Sequence, residues 1–341
     1  MVCAGDTAKT ATATLSPFIA LHGSCYKYIR PYRARLGSLR ARAPLIKMSA
    51  EPTKDEWSDR VKALKTAVSN IVMDGDKDAV THPRTLKRYV EAVRRSPLAN
   101  QAEFYVLDVA SAAGEPGLTI AHAFPQARVS LTDYSPAMLA WGKERTQEQG
   151  LTDRVTSAVA NAEHMPEIRD ASIDLVTCSY GLPFFDHVKG LREFRRVLKP
   201  GGLLLATNWA RADEVDLGLI LKEVAHALDP DAAPPLDACR LGDIPSFKQC
   251  LTAAGFDHAE VDIFNNPNGF VPGKAAEFLL HSSPLVPFLQ KLESQGQENV
   301  QGRARTAVDE VLRKHQYLQP DGSVQFDRTI AHFYEARASH Q

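Results

Sequence analysis

From Phe104 onward, short apolar runs alternate with stretches whose apolar residues recur every three or four positions. The runs predict strands, because buried parallel strands read as nearly continuous apolar segments. They are FYVLDVA (104–110), ARVSLTD (127–133), RVTSAVA (154–160), SIDLVTCSY (172–180), GLLLATNW (202–209), HAEVDIF (258–264) and TIAHFYEA (329–336). Helical spacing between them predicts helices at 116–123, 136–149, 187–198, 213–228 and 245–254.

Strands that alternate with helices predict an α/β protein with a doubly wound parallel sheet covered on both faces. Ser135 can cap the helix at 136, and Pro136 suits its first turn. The segment KPGG (199–202) is typical of a helix stop. Further helical patterns at 273–281, 284–293 and 299–315 predict a helical insertion over 265–325, before the last strand.

Two amphipathic helices are predicted upstream of the first strand, within 53–97. The first begins at a capping box, TKDE, and the second follows His82-Pro83. The first helix is indicated by apolar residues at helical spacing: Trp57, Val61, Leu64, Val68 and Ile71. We therefore expect one domain over 51–338, with an N-terminal helical cover and a core at 104–210.

Composition narrows the class of protein. Of the 341 residues, 44% are hydrophobic and 24% are charged, and the net charge is −1, so no basic field favours nucleic acid as a partner. No apolar run reaches the roughly 18 residues that predict a membrane span. The five cysteines form no CxxC pair and no even framework, so neither a zinc ribbon nor a disulfide scaffold is predicted, and no metal site is expected.

The first 50 residues differ from the rest of the chain. They hold eight lysines and arginines against one acid, Asp6, and are rich in Ala, Ser and Thr. This composition is typical of a mitochondrial or plastid transit peptide over residues 1–47. It equally fits a disordered basic tail, or an extension upstream of a start at Met48, and the protein is then expected in the cytoplasm.

The turn DVASAAGEPG (108–117) follows the first strand at the sheet edge where ligands bind in such folds. Its small residues allow the backbone to approach a ligand closely. The next strand ends at Asp133, whose carboxylate can accept two hydrogen bonds from a ribose diol. These features predict a nucleoside across the edge of strands one and two. The dinucleotide pattern G-x-G-x-x-G and the Walker A pattern are both absent from the sequence.

Four segments in this order resemble the class I S-adenosylmethionine-dependent methyltransferases, notably the broad group of ubiquinone/menaquinone biosynthesis C-methyltransferases. They are VLDVASAAGEPGL (106–118), LTDYSPAMLAWGKER (131–145), ANAEHMP (160–166) and the run 172–209. The resemblance covers about 104–210, and more weakly 245–264 and 329–338. It implies a seven-stranded Rossmann-like sheet, S-adenosylmethionine as cofactor, and methyl transfer to O, N or C of a small, partly apolar molecule.

The resemblance also implies roles for individual residues. Those near the methionine half would be Asp108, Ala110, Ser111 and Gly114. Asp133 would bind the ribose, and Ser179 and Tyr180 would face the sulfonium. Around the adenine would lie Tyr134, Met138, Asn161 and Ala162. Ala110 and Ala112 stand where the family has glycine, and the methyl group of Ala112 disfavours a positive φ. Asn161 replaces an aspartate but keeps an acceptor oxygen.

The acceptor pocket is expected beside the same edge, under the N-terminal helices and the insertion. Its candidate lining residues, beside Tyr180 and Phe270, are Trp57, Phe184, Phe185 and Trp209. His187, Tyr180 and Asp186 lie near the expected edge, and His164 follows the adenine segment. A solvated or capping role is favoured over catalysis for each lone histidine, so no general base is assigned. The oligomeric state is not predicted.

Three other functions fit the same pattern. A methyltransferase-like binding protein without turnover is favoured by Ala112. An aminopropyl transferase would bind decarboxylated cofactor in preference. A protein or RNA methyltransferase is disfavoured by the near-zero net charge.

Overall fold

A seven-stranded sheet forms the centre of the computed structural model, which describes residues 71–73, 82–231, 238–281 and 285–340. Its strands lie in the order β4-β3-β2-β5-β6-β10-β7. The ten described strands, three of them in a separate small sheet, are β1 (Ile71–Met73), β2 (Phe104–Val109), β3 (Ala127–Asp133), β4 (Val155–Val159), β5 (Ile173–Ser179), β6 (Leu198–Trp209), β7 (Phe256–Asn265), β8 (Asn268–Phe270), β9 (Val324–Phe326) and β10 (Ile330–Ala338).

Nine α-helices lie within the described ranges. They are α1 (Pro83–Arg95), α2 (Gly117–Ala123), α3 (Pro136–Glu148), α4 (His187–Val197), α5 (Asp216–Leu228), α6 (Ile244–Ala253), α7 (Ala275–Leu280), α8 (Leu285–Ser294) and α9 (Val300–Lys314). None of them combines the length and the apolar composition needed to cross a membrane.

The first five strands of the large sheet, β2 to β6, are parallel. The chain winds outward from β2 to β3 and β4, then returns to place β5 on the other side of β2. The order therefore reverses at β2, and the carboxyl ends of β2, β3 and β5 meet at the switch point where ligands bind in open α/β sheets. The predicted nucleoside edge lies at this point.

Helices cover both faces of the sheet, because alternate residues of each buried strand point to opposite sides. Val106 packs in a cluster with residues of α1, α2 and α3, whereas Leu107 packs in a second cluster with residues of α4 and α6. Helix α1 is also fixed by polar contacts: Tyr89 Oη lies 3.0 Å from Thr207 Oγ1, and Arg88 pairs with Asp262 of β7 at 2.6 Å.

A second core lies between α5 and the segment from β8 to β9. Helices α5, α7, α8 and α9 contribute buried leucines, valines and alanines, and Phe270 and Phe326 of the small sheet pack among them. The small sheet has the order β1-β8-β9 and is antiparallel. The 265–325 insertion is therefore helical, as predicted, but it also carries two short strands.

Phe270 is not a pocket residue. Its side chain is 2% exposed and its ring packs against Phe326 and Phe278. The prediction that it lines the acceptor pocket is wrong, because the helices of the insertion bury it in their own core.

Three other predictions need correction. Ile71 lies in strand β1 rather than in a helix, and the rest of that predicted helix is outside the described residues. The segment KPGG lies inside β6, because α4 ends at Val197 and the strand begins at Leu198. The sheet is mixed rather than wholly parallel, since β10 runs antiparallel to both β6 and β7.

Replacing Phe270 by alanine tests this assignment. A fully buried phenylalanine leaves a cavity when truncated, so Phe270→Ala should lower the free energy of unfolding by about 3–5 kcal/mol. Phe184, which is 44% exposed, is the matched control, and Phe184→Ala should change stability by about 0.5 kcal/mol or less. Urea unfolding followed by circular dichroism measures both. Equal effects of the two substitutions would contradict the assignment.

Candidate nucleoside-binding site

The turn after β2 takes a glycine-like path although it is built from alanines. Ala110 and Ala112 have φ angles of 54° and 47°, and Gly114 has a φ of 103°. A left-handed conformation costs a residue with a Cβ atom roughly 1–2 kcal/mol. The sequence correctly identifies the strain at Ala112, and the structure shows that the turn adopts the left-handed path nonetheless.

Asp133, at the end of β3, supports one side of this turn through hydrogen bonds. Its Oδ2 accepts a hydrogen bond from the Ala112 amide at 2.9 Å, and its Oδ1 accepts one from the Ser135 amide at 2.8 Å. Burial raises the pKa of the Asp133 carboxyl, while the two amide donors act in the opposite sense. The side chain is half-buried, and each carboxylate oxygen keeps lone pairs for a further donor such as a sugar hydroxyl.

Asp108 supports the same turn from its buried side. Its Oδ1 accepts from Thr177 Oγ1 at 2.7 Å and its Oδ2 accepts from the Gly117 amide at 2.9 Å, at the start of α2. The side chain is fully buried, and this burial raises the pKa of Asp108 from 3.8 to about 7. The carboxyl group therefore supports the turn from inside the fold and does not face the crevice.

Arg145 of α3 clamps the outer side of the turn. Its guanidinium donates to the Ala113 carbonyl at 2.8 Å and to Glu115 Oε1 at 2.7 Å. Gly142, one turn earlier, lies against the same turn, since a Cβ there would make ordinary van der Waals contact with the Ala113 carbonyl carbon at 3.4 Å. Neither this arginine nor Thr177 is among the residues predicted from the sequence. The position of Arg145 three residues after Gly142, on the face of α3 that meets the sheet, is the signal that could have found it.

The residues predicted around the adenine gather beside Asp133. The Ala160 amide donates to the Asp133 carbonyl at 3.1 Å, which brings the 160–162 segment to the end of β3. Tyr134 is 46% exposed, Met138 is half-buried and Asn161 is exposed, with its Oδ1 accepting from the Glu163 amide. Ala162 packs against the core under this edge. Their contact with a nucleoside stays a prediction.

A second turn, Ser179–Gly181 at the end of β5, packs against the first. Ser111 is buried, Ser179 is half-buried, and Tyr180 has a left-handed φ of 56°. A Cβ on Gly181 would lie only 2.6 Å from the Ala110 Cβ, so the two turns touch. The Tyr180 ring stacks on Trp209 with a centroid distance of 4.0 Å.

The other predicted pocket residues lie less centrally. Phe184 is exposed, and Phe185 packs its ring against Phe194 and over Gly190. Trp57 lies outside the described residues. Trp209 is thus the acceptor-side candidate that the structure brings together with Tyr180.

Asp186 and His187, two of the candidates for a general base, make other contacts in the structure. Asp186 caps α4 through the amides of Val188 and Lys189. The His187 ring points toward α6, with Nε2 3.8 Å from Cys250 Sγ and Nδ1 3.5 Å from Arg240. Within the described ranges, no group of three or more histidine, cysteine, aspartate or glutamate side chains could hold a metal ion.

Comparison with known proteins gives matches to part of the chain. Residues 81–219 match the family described as the ubiE/COQ5 methyltransferase family. The ubiquinone/menaquinone biosynthesis C-methyltransferase of Brucella anthropi is 36% identical over 143 residues, 41% of this chain and 52% of that protein. Its counterpart from Bartonella tribocorum is 38% identical over 110 residues, 32% of this chain and 42% of that protein. The chain thus spans about half the length of these relatives, or less.

Solved structures share the fold. The [4+2]-cyclase SpnF superposes with a TM-score of 0.51 at 19% identity, covering 86% of this chain and 98% of SpnF. A phosphoethanolamine N-methyltransferase from Haemonchus contortus, solved with S-adenosylhomocysteine, gives 0.51 at 18% identity, covering 85% and 61%. The chain has the Rossmann-like class I methyltransferase fold, and the cyclase shows that this fold alone does not fix a reaction.

Glycine at position 112 should relieve the strained turn. The left-handed φ favours glycine, and the gain exceeds the added entropy of the unfolded chain, so Ala112→Gly should raise the free energy of unfolding by up to about 1 kcal/mol. Ala113 is the matched control. It is buried without a left-handed φ, so Ala113→Gly should destabilise by about 0.5–1 kcal/mol or more. Equal destabilisation by both, in urea unfolding, would show that the turn is not strained.

The buried carboxyl of Asp108 should make stability depend on pH. Its folded pKa lies above the unfolded value, so its contribution is full below about pH 4 and is lost as the pH rises through about 7. The wild type should therefore lose stability relative to Asp108→Asn by up to about 1.4 kcal/mol per pH unit between pH 5 and 6, and by about half as much per unit near pH 7. Urea unfolding at several pH values measures this difference. Asp153→Asn, at a side chain that is 73% exposed, is the control and should show no such trend.

Proposed function

We propose that this chain, whose residues 81–219 match the ubiE/COQ5 methyltransferase family, is an S-adenosylmethionine-dependent methyltransferase. It transfers a methyl group to O, N or C of a small, partly apolar molecule. The observation that carries the proposal is the Asp133 carboxylate at the end of β3, bonded at 2.9 Å to the left-handed turn at Ala112.

The residues at the switch point fit the cofactor. A ribose diol can donate both hydroxyl hydrogens to the Asp133 carboxylate, which is only half-buried. Tyr134 and Met138 offer apolar surface for the adenine, and the exposed Asn161 offers polar atoms at its edge. With the cofactor bound in this way, the backbone of Ala110, Ser111 and Gly114 in the left-handed turn would line its methionine half.

S-Adenosylmethionine supplies an electrophilic methyl group on a sulfonium cation. Direct transfer is an in-line displacement, so the main work of the protein is to hold and orient the two reactants and to exclude water. The aromatic pair of Tyr180 and Trp209 stands beside this edge, and aromatic faces attract a sulfonium cation. Asp186 and His187 hold other structural contacts, which agrees with a reaction that depends on positioning.

The wider setting of the protein is part of the proposal. One domain over 51–338 carries the activity, and residues 1–47 act either as a transit peptide for a mitochondrion or plastid, or as a tail of a cytoplasmic protein. The near-zero net charge supports a small-molecule acceptor over nucleic acid.

A methyltransferase-like binding protein without turnover is the second candidate. It is favoured by Ala110 and Ala112, which place two methyl groups in the turn nearest the cofactor and hold it at a cost in strain. The two candidates differ in one measurement. The binding protein takes up S-adenosylmethionine but forms no S-adenosylhomocysteine with any acceptor, whereas the enzyme forms it with at least one.

Calorimetric titration of the full chain with S-adenosylmethionine and S-adenosylhomocysteine tests the proposal. Both should bind with micromolar affinity. Asp133→Ala should weaken both by about 5- to 150-fold, which corresponds to the roughly 1–3 kcal/mol expected for hydrogen bonds to a charged group. Asp153→Ala, at an exposed carboxylate away from this edge, is the matched control and should bind like the wild type. Unchanged affinity in a folded Asp133→Ala protein would overturn the proposal.

A further inference from the structure

Strand β7 forms an edge of the large sheet, away from the nucleoside site. It is the last strand in the order β4-β3-β2-β5-β6-β10-β7, and no described strand pairs with its outer side. It is ten residues long, Phe256–Asn265. An edge strand presents a row of backbone donors and acceptors to which another chain can pair.

The register with β10 shows which residues of β7 direct their backbone outward. The Asn266 amide donates to the Thr329 carbonyl at 2.9 Å, at the start of this ladder. Successive residues of an antiparallel strand bond alternately on its two sides, so the even-numbered residues of 260–264 bond to β10. Val261 and Ile263 therefore turn their amides and carbonyls to the outer edge. No described residue forms a hydrogen bond with these groups.

One face of this edge is apolar. Val261 is half-buried and packs against the hydrophobic cluster that contains residues of α4 and α6. Ile263 follows two positions later and so lies on the same face, where it is 57% exposed. A β-branched side chain at an open edge offers a contact for an aliphatic residue of an added strand.

The other face of this edge is acidic. Asp262 pairs with Arg88 of α1 at 2.6 Å, and Glu335 of β10 pairs with Arg95. Glu260 is exposed, lies directly opposite Glu335 in the register and forms no ion pair with a described residue. Like charges that face each other across two strands are destabilising, so a cation beside Glu260 would stabilise this edge.

A cavity of about 180 Å³ lies on the same face, between α1 and the strands β7 and β10. Its lining carries three carboxylates and two guanidinium groups around one phenyl ring, from Arg88, Glu91, Arg95, Asp262, Phe333 and Glu335. Glu260, opposite Glu335, adds a fourth carboxylate beside it. The excess of acids over arginines favours a partner with basic side chains.

A second copy of this chain fits the edge poorly. If two β7 strands paired antiparallel about a centre at Val261, Glu260 of each copy would face Asp262 of the other. If the centre lay at Asp262, the two Asp262 carboxylates would face each other. Both registers place like charges in opposition, which acts against self-pairing.

We propose that the outer edge of β7 binds an extended segment of another protein in which basic residues alternate with aliphatic residues. The segment adds to the sheet as a further strand, bonded to the backbone of Val261 and Ile263. Its aliphatic side chains lie beside Ile263, and its basic side chains lie beside Glu260 and Asp262. This interaction surface does not depend on the methyl-transfer reaction.

Three peptides test the chemistry of the partner. Each is a fluorescein-labelled nine-residue peptide, titrated with the full chain at physiological ionic strength and followed by fluorescence anisotropy. The peptide of alternating arginine and valine should bind with micromolar affinity. Its isomer with arginines and valines in two blocks, and an alternating glutamate–valine peptide, should bind about tenfold more weakly or worse.

Substitutions in β7 test the place of binding. Ile263→Pro removes an outward amide and no bond to β10, so it should weaken the arginine–valine peptide by about tenfold or more. Ile263→Thr keeps this amide and a β-branched side chain, and should weaken it by about threefold at most. Glu260→Lys should weaken the peptide by about fivefold or more. Glu148→Lys makes the same charge change at an exposed position of α3 and should bind like the wild type.

Circular dichroism establishes that each variant is folded. Absence of binding by the arginine–valine peptide, or equal binding of its block isomer, would overturn the proposal. Unchanged affinity in folded Ile263→Pro or Glu260→Lys would do the same. A dimer in analytical ultracentrifugation that Ile263→Pro abolishes would also overturn it, because the occupant of the edge would then be a second copy.

Discussion

The hydrogen bond from the Ala112 amide to Asp133 Oδ2 is the contact on which the site depends. It ties the end of β3 to the turn that leaves β2, and so it fixes the spacing of two neighbouring strand ends. Asp108 completes the frame from inside, where its carboxyl joins Thr177 of β5 to the start of α2. Because carboxyl groups support the turn from both sides, alanines can hold a path that is easier for glycine. The strain is local and is compensated by these two residues and by Arg145.

The sequence predicted most of the central sheet, and the reasons are physical. The run ARVSLTD is bounded by proline on one side and by a cap on the other, and β3 has the predicted bounds. The antiparallel insertion of β10 between β6 and β7 could not be inferred, because strand order depends on packing between distant segments. Strands β1, β8 and β9 are three residues long, too short to show a period. Within the site, a strand-end acid such as Asp133 has a recognisable local pattern. Thr177 has none, because 69 positions separate it from Asp108 and only the folded chain brings them together.

Two parts of the chain differ in their similarity to the ubiE/COQ5 methyltransferase family. The switch point and its two turns lie inside the range shared with the ubiE/COQ5 family, whereas the second hydrophobic core and the segment from β8 to α9 lie outside it. The part of the chain that matches the family is thus joined to a region that this match does not cover. The fold itself extends further, since the likeness to the cyclase covers 86% of this chain, and one fold can carry more than one reaction.

The contact between the two turns limits how the chain can change. A Cβ on residue 181 would lie 2.6 Å from the Ala110 Cβ and 2.9 Å from Cys178 Sγ, so side chains on two sides require glycine at this position. Glycine at 110 would relieve only the first of these contacts, and alanine at 181 would still require the Cys178 side chain to move. Position 181 can therefore change only together with both of its neighbours, one on the turn after β2 and one in β5.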